Sequence, residues 1–227
     1  YPVEFFYCNF TPRVYAIRMI GIHKMPDTEE KLRILSQDSQ YDLACACGTK
    51  NPDEHRKRSD DNRWIYPVAL PDGGYTYLFK TLVSNICVND CMYCPLRTGT
   101  DSRRCALNQE EIARAFMHYY RKGIVSGLFL TSGVTGNPDR TMQTINSVAH
   151  MLRKREQFKG YMHLKVIPGA SDAAIEETVS LASAVSVNIE APGEENFRIL
   201  TRGKNYMNDV IRPLKLISRL TASGERY

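Results

Sequence analysis

Three cysteines lie within eight residues, at Cys87, Cys91 and Cys94. Cysteine thiolates are ligands for zinc and for iron–sulfur clusters. The 227-residue chain has seven cysteines, and the close spacing of these three is typical of metal binding in a reducing compartment rather than of a secreted disulfide scaffold. We therefore expect a metal-binding, cytoplasmic protein.

The spacing of these cysteines favours an iron–sulfur cube over a single metal ion. A cube usually has four cysteine ligands, so three would leave one iron open to bind a small molecule through an amine and a carboxylate. Two alternatives remain, a structural zinc site and a simple electron carrier, and each needs a fourth ligand, which Cys105 could supply. Cys45 and Cys47 could belong to an auxiliary cluster, although buried thiols are the simpler interpretation.

The elements that must position these cysteines alternate between strands and helices. Apolar patterns predict strands at 77–84, 125–132, 161–167 and 184–190, and helices at 108–122, 138–155, 171–181, 194–201 and 206–220. Such alternation predicts a parallel sheet with right-handed crossovers. Four βα units are fewer than the eight of a complete barrel, which takes about 250 residues. The predicted fold class is therefore α/β, an open, partial TIM-type barrel.

The chain is expected to divide into two parts. Residues 1–70 form an N-terminal extension with an aromatic arm at 1–25, a helix that begins at Asp27, and an exposed charged loop at 51–63. Residues 71–227 form the βα core, which we expect to stop before its last strands. The three cysteines follow the first core strand directly, where parallel α/β folds place their active sites.

Polar residues occupy one face of two predicted strands. His163 and Lys165 alternate with apolar residues in the third strand, and Asn188 and Glu190 do so in the fourth. Helices would cover the apolar faces, so the polar faces would line the barrel. Because burying unpaired charges costs several kcal/mol, a bound ligand is favoured there. The alternative is a structural network, such as a pair between Lys165 and Glu190.

The charge of the chain restricts function only weakly. Thirty basic and 25 acidic residues give a net charge of +5, which permits an anionic substrate without requiring one. Arg97, Arg103 and Arg104 follow the cysteine motif and could bind phosphates, or could belong to a solvated loop. No run of about 18 apolar residues is present, so no membrane span is expected.

The CxxxCxxC motif, with Tyr93 before its last cysteine, resembles the radical S-adenosylmethionine (radical SAM) superfamily over roughly residues 75–227. The resemblance implies a [4Fe–4S] cluster on Cys87, Cys91 and Cys94, with S-adenosylmethionine (SAM) bound to the open iron. It implies an enzyme that cleaves SAM reductively and abstracts hydrogen from a substrate through a 5′-deoxyadenosyl radical. It also implies an electron donor of the flavodoxin or ferredoxin type.

Six further positions are similar to SAM-binding positions of that superfamily. The resemblance implies that the Tyr93 backbone meets the adenine, and that Ser132 and Gly133 meet the amino group. Asn188 and Glu190 would contact the ribose and carboxylate. Lys165 could meet the SAM carboxylate. The acidic residue usual near Ser132 is absent here, so backbone carbonyls or Ser132 itself would have to take its place.

A narrower resemblance is to DNA modification and repair proteins of the radical SAM type. It is carried by residues 31–35, 41–42, 128–134, 163–171 and 186–192. The resemblance implies a nucleic-acid substrate and a uracil-DNA-glycosylase-like partner protein. Two alternatives stay open: a radical SAM enzyme that acts on a peptide or small molecule, and a non-catalytic zinc-binding adaptor. His163 is a further candidate for contact with the substrate.

Overall fold

The computed structural model describes residues 26–41, 57–58, 64–69 and 74–222. The predicted aromatic arm, Cys45, Cys47 and most of the charged segment 51–63 lie outside these residues. In the described part of the chain, no helix is both long and apolar enough to span a membrane.

The described strands form one sheet in the order β1 to β6. Their bounds are β1 Lys57–Arg58, β2 Trp64–Ala69, β3 Tyr75–Leu82, β4 Gly127–Thr131, β5 Tyr161–Lys165 and β6 Ala184–Ser186. β1, β2 and β3 pair antiparallel, whereas β3 to β6 pair parallel. The four parallel strands are the predicted βα units, and the predicted partial barrel is confirmed.

Six α-helices accompany the sheet among the described residues. Their bounds are α1 Thr28–Asp38, α2 Gln109–Arg121, α3 Pro138–His150, α4 Asp172–Leu181, α5 Glu194–Leu200 and α6 Arg212–Ala222. Asp27 caps α1 by accepting a 2.9 Å hydrogen bond from the Glu30 N–H, as predicted. A reciprocal capping box of Asn108 and Glu111 begins α2. These local signals fix where α1 and α2 begin.

One apolar core lies between the parallel strands and their helices. Leu128, Leu130, Met162 and Leu164 from the strands are fully buried. They belong to the same core as buried residues of α2, α3 and α4, namely Ile112, Phe116, Met142, Ile145, Val148, Ile175 and Val179. The apolar face predicted for the strand at 161–167 therefore points toward the helices, and β4 presents Leu128 and Leu130 to the same core.

The largest differences between the structure and the predicted element bounds are in three places. β6 is only three residues long, because the chain leaves the sheet after Ser186, and Ile189 is 47% exposed. The helix predicted at 138–155 is α-helical to His150 and continues as a π-helical turn, Met151–Arg155. A second π-helical turn, Tyr206–Ile211, precedes α6.

The predicted N-terminal extension contributes to the same sheet. β2 pairs with β3 from Ile65 opposite Phe79 to Ala69 opposite Tyr75. β1 lies within the segment that was expected to be a charged loop. The α1 helix is joined to α2, since Thr28 and Lys31 both bind the Glu111 carboxylate. The predicted boundary between residues 70 and 71 remains a prediction.

Candidate functional site

A cavity lies at the carboxyl ends of the parallel strands. Nine of its lining residues are the ones that we expected from the sequence to bind a metal or a cofactor: Cys87, Cys91, Tyr93, Cys94, Ser132, Gly133, Lys165, Asn188 and Glu190. They come from the loop after β3, the end of β4, the end of β5 and the segment after β6. Because parallel strands bring their carboxyl ends to one edge of a sheet, segments up to a hundred residues apart meet here.

The loop after β3, here called the cluster loop (residues 85–100), places the three cysteines around this cavity. Cys91 is buried, and Cys87 and Cys94 are partly exposed. A turn brings the Cys94 N–H within 2.9 Å of the Cys91 carbonyl oxygen. The backbone N–H of Val134 donates to Cys87 Sγ at 3.4 Å. Hydrogen bonds to ligating sulfurs are one of the ways a protein tunes a cluster.

The arrangement of the thiols suits a cluster better than a single ion. Among the described residues, no three cysteine, histidine or acidic side chains are placed to hold one metal ion. A zinc ion gathers its ligands around one centre, whereas a cube spreads three cysteines over three irons. Burial raises the pKa of the Cys94 thiol, and the neighbouring Cys91 and Cys87 raise it further. A bound metal centre would favour the thiolate form of Cys94, because a coordinated thiol is deprotonated.

Cys105, the suggested fourth ligand, does not line the cavity. It is buried within the apolar core. Its backbone N–H bonds to the Asn85 side-chain oxygen at 2.8 Å. Burial raises the pKa of its thiol to about 11. Such a thiol behaves as a small apolar side chain. The structure thus places the fourth ligand of the zinc alternative in the apolar core and not on the cavity wall with the other three cysteines. Cys45 and Cys47 lie outside the described residues.

Tyr93 and Glu190 face each other across the mouth of the cavity. Burial, together with a hydrogen bond to the Glu190 carboxylate, holds the pKa of the Tyr93 hydroxyl well above its usual value. Lys204 Nζ lies 3.9 Å from Glu190 Oε1, and both side chains are mostly buried. Glu190 therefore has a cationic partner, Lys204, that the sequence did not suggest.

Glu190 has a backbone conformation that is unusual for its residue type. Its φ of +65° lies in the left-handed region. For a residue with a Cβ this costs about 1–2 kcal/mol. Such strain is found where the surrounding structure requires it, often at functional sites. Here the strained residue itself lines the cavity, beside Lys204.

Ser132 and Gly133 join the end of β4 to the cluster loop. The Gly133 N–H donates to the Ser84 carbonyl oxygen at 2.6 Å. A Cβ on Gly133 would come within 2.7 Å of the Ile86 carbonyl oxygen, so only glycine permits this approach. The Ser132 hydroxyl donates to the Gly133 carbonyl oxygen at 2.7 Å. Gly133 thus has a structural role in addition to its place on the cavity wall.

Two of the remaining candidates lie on β5. Lys165 is 4% exposed and lines the cavity. His163 lies one register step further from the cavity, opposite Ala184. It contacts Ser186 through Nε2 and Oγ at 2.8 Å, and its ring packs edge-on against Phe129. His163 is not among the residues that line this cavity.

The three arginines after the motif all bind protein groups, and of the three only Arg103 is also exposed to solvent. Arg97 donates to the Met92 and Cys94 carbonyl oxygens at 3.2 and 3.3 Å. Arg103 pairs with Glu30 at 2.6 Å. Arg104 donates to four carbonyl oxygens, those of Asn85, Leu96, Arg97 and Thr100, and to the Thr100 hydroxyl. Arg104 therefore holds the cluster loop together. This role differs from both expectations, which were phosphate binding and a solvated loop.

Sequence reasoning missed three features of the site. Lys204 lines the cavity, Asp90 binds the turn that precedes Lys204, and the Val134 N–H contacts Cys87. Asp90 could have been selected because it immediately precedes Cys91 within the motif. Neither Lys204 nor Val134 follows a recognisable spacing, and both depend on contacts between distant segments.

Comparison with known proteins shows which family this chain matches. The family model described as the radical SAM superfamily matches residues 81–222, which is more than half of the chain. The match includes the three clustered cysteines and the other residues of the cavity wall named above. No curated protein matches the chain significantly.

Solved structures with the same fold include a hydrogenase maturase and a methylornithine synthase. The FeFe-hydrogenase maturase HydG from Carboxydothermus hydrogenoformans has 17% sequence identity and a TM-score of 0.51, over 62% of this chain and 33% of its own. Methylornithine synthase (PylB) has 15% identity and a TM-score of 0.52, over 62% of this chain and 41% of its own. The chain thus spans less than half the length of these proteins, and the likeness concerns the fold.

Proposed function

Since the chain belongs to the radical SAM superfamily, we propose that it cleaves SAM reductively at a [4Fe–4S] cluster and abstracts hydrogen from a substrate. These two cofactors are the ones that the superfamily uses. The observation that supports the proposal most strongly is that the three proposed cluster ligands and the six proposed SAM contacts line one cavity at the carboxyl ends of the parallel strands. Active sites of such folds lie at this edge.

In this proposal Cys87, Cys91 and Cys94 are the cluster ligands. Their thiolates would each bind a different iron, and the Val134 N–H would stabilise the negative charge on Cys87 Sγ. The bound cluster would supply the electron that breaks the C5′–S bond of SAM. Arg104 and the backbone of the cluster loop keep the three cysteines in place.

The residues proposed for SAM surround the cysteines. Lys165 would bind the carboxylate of SAM, because it is a buried cation at the end of β5. Ser132 and Gly133 would offer carbonyl oxygens to the amine. Asn188 and Glu190 would accept hydrogen bonds from the ribose hydroxyls, and the backbone of Tyr93 would meet the adenine. Lys204 would hold the Glu190 carboxylate in place through their 3.9 Å contact.

For the substrate we propose nucleic acid, in DNA modification or repair. The support is the narrower sequence resemblance and the net charge of +5. Since Arg97 and Arg104 bind backbone carbonyl oxygens of the cluster loop, phosphate contacts would have to come from the exposed Arg103 or from other basic residues. The proposed partners are a flavodoxin- or ferredoxin-like electron donor and a uracil-DNA-glycosylase-like protein. A cytoplasmic location belongs to the proposal because the cluster needs a reducing compartment.

Anaerobic purification tests the proposed reaction. We expect a brown, oxygen-sensitive protein with about four irons and four sulfides per chain. Reduction in the presence of SAM should give 5′-deoxyadenosine, identified by mass spectrometry. Protein that contains zinc, but neither iron nor sulfide, would contradict the proposal and support the adaptor alternative.

Binding to DNA tests the proposed substrate class. Neutralising Z phosphates should make log K fall against log salt concentration with a slope of about −0.9Z. Fluorescence anisotropy with a labelled duplex and a labelled single strand, at several salt concentrations, measures this slope. If the protein forms 5′-deoxyadenosine but binds neither DNA nor RNA, a peptide or small-molecule substrate replaces nucleic acid.

A further inference from the structure

Asp90 binds a turn that is remote from it in sequence. Its Oδ1 accepts hydrogen bonds from the Thr201 hydroxyl, 111 residues away, at 2.5 Å, and from the Gly203 N–H at 3.3 Å. Its Oδ2 accepts from the Arg202 N–H at 3.0 Å. Hydrogen bonds to an ionised carboxylate are among the stronger ones in proteins. One side chain therefore satisfies three donors of the turn after α5.

A second contact ties the same two segments together. The Met92 N–H donates to the Leu200 carbonyl oxygen at 2.9 Å. Cys91, which is 6% exposed, lies between Asp90 and Met92. Thr201 is only 3% exposed, so the contact is shielded from water on one side. The loop and the turn are thus joined on both sides of the central cysteine.

The clamped turn leads directly into the cavity. Gly203 is followed by Lys204, whose ammonium group lies 3.9 Å from the Glu190 carboxylate. Both side chains line the cavity together with Cys91 and Cys94. The distance between Lys204 and the cysteines therefore depends on how the turn sits against the cluster loop.

We propose that Asp90 is a positioning residue that fixes the Lys204–Glu190 pair at a set distance from the cluster cysteines. This inference rests on the proposed function, since the pair is expected to bind SAM. The three hydrogen bonds of the Asp90 side chain described above all go to the turn 201–203, and none goes to β4 or β5. It acts by holding the turn 201–203, and thereby the far wall of the cavity.

Limited digestion of cluster-free protein tests the clamp itself. Arg202 is exposed, and its peptide bond should become accessible to trypsin when the turn opens. In Asp90→Ala we expect cleavage after Arg202 to be roughly tenfold faster, because three hydrogen bonds are lost. Thr201→Val, which removes one donor, should give a smaller increase. Asp101→Asn, a change at an exposed carboxylate beyond the motif, should leave the rate unchanged.

Binding of SAM to the cluster-loaded protein tests the positioning role. The Asp90→Ala variant should take up the same amount of iron, because its three cysteines are intact. Its Kd for SAM should rise roughly tenfold, and SAM should change the electron paramagnetic resonance spectrum of the reduced cluster only at higher concentrations. Asp90→Asn keeps one oxygen acceptor, but its amide N–H groups face a donor of the turn. Its Kd for SAM should therefore lie between the values for wild type and Asp90→Ala.

Each outcome decides the inference. Equal cleavage after Arg202 in wild type and Asp90→Ala would overturn it, as would faster cleavage with an unchanged Kd for SAM. If Asp90→Ala does not fold, as judged by circular dichroism, Thr201→Val and Asp90→Asn provide the same comparison. Wild-type protein that takes up no cluster would refute the proposed function instead, while the digestion would still decide whether the clamp exists.

Discussion

The two faces of the parallel strands are buried to a similar degree but differ in chemistry. On the helix-covered face, Leu128, Met162 and Leu164 are 0% exposed and belong to one apolar core. On the opposite face, Lys80 and Lys165 are 1% and 4% exposed. An apolar side chain is stabilised by burial itself, whereas a buried ammonium needs compensating partners. The second face is therefore the one that requires a functional explanation.

Within the polar face, depth separates two layers. In the deeper layer, Lys80 Nζ lies 4.9 Å from the centroid of the Phe129 ring, and His163 contacts both Phe129 and Ser186. These groups are packed against protein partners. In the upper layer, Lys165 and Glu190 line the cavity. The deeper layer is packed within the sheet, and the upper layer is the one to which the proposed function assigns cofactor binding.

The largest expected effect is the loss of the cluster. It can be tested by the same substitution at two cysteines, Cys91 on the cavity wall and Cys105 in the apolar core. Cys91→Ala should lose the cluster and all SAM cleavage, because a cube with two protein ligands is not retained. Cys105→Ala, in the apolar core, should keep its iron and its activity. Iron analysis and 5′-deoxyadenosine formation measure both. An unchanged rate of SAM consumption in Cys91→Ala would refute the mechanism.

The helix-covered face should determine stability. Leu164→Ala removes a fully buried side chain from the core and should lower the free energy of unfolding by about 3 kcal/mol. Urea denaturation of cluster-free protein, followed by circular dichroism, measures this change. Ile199→Ala is the control, since Ile199 is 67% exposed and should change stability by less than about 0.5 kcal/mol. Equal losses in the two variants would remove the distinction between the faces.

The upper layer of the polar face should determine binding more than stability. Glu190→Gly removes the backbone strain of a side-chain-bearing residue in the left-handed region, but it also loses the contact with Lys204. Because these effects oppose each other, the free energy of unfolding should stay within about 1 kcal/mol of wild type. Its Kd for SAM should nevertheless rise by about tenfold. Equilibrium dialysis and urea denaturation measure the two quantities. Glu190→Gln keeps the strained backbone and should be the less stable of the two variants; the reverse order would argue against strain at this residue.

The smallest expected effect is a change in stability caused by Glu111, a buried carboxylate on α2. Although burial opposes ionisation of Glu111, hydrogen bonds from Thr28, the Asn108 N–H and Lys31 lower its pKa below the usual 4.5. A carboxyl group with a lowered pKa stabilises the folded state above its unfolded pKa, and this contribution disappears as the pH falls through the folded pKa. Glu111→Gln should therefore cost about 1 kcal/mol at pH 7.

The pH dependence distinguishes this effect from lost packing. The stability difference between wild type and Glu111→Gln should shrink as the pH falls below about 4.5. Urea denaturation at pH 7, 5 and 3.5 measures it. A difference that stays constant over this range would show that the Glu111 charge does not stabilise the contact between α1 and α2.

Much of the fold could be predicted because its signals are local. Asp27, Asn108 and Pro138 mark helix starts through capping chemistry and a fixed φ. The apolar alternation of residues 161–165 predicts a strand. The end of β6 could not be predicted in this way, because residues 187–190 keep the alternating pattern while the backbone leaves the sheet at Ser186.

The candidate site was predictable to a similar extent. The three cysteines follow from their spacing, and the position of the motif after a strand places them at the edge where such sites lie. The arginines that follow the motif were harder to interpret. Arg104 is next to Arg103 in sequence, yet one binds loop carbonyl oxygens and the other binds Glu30 on α1. Only the folded loop distinguishes these two environments.

The sequence alone determined the cysteine motif, the order of strands and helices, and the polar face of β5, since each depends on the types and spacing of neighbouring residues. The tertiary structure decided which distant groups meet: Asp90 with the turn at 201–203, Lys204 with Glu190, and the Val134 N–H with Cys87. The physical reason is that a hydrogen bond or ion pair acts over a few ångströms in space. No periodicity along the chain encodes which segments the fold brings within that range.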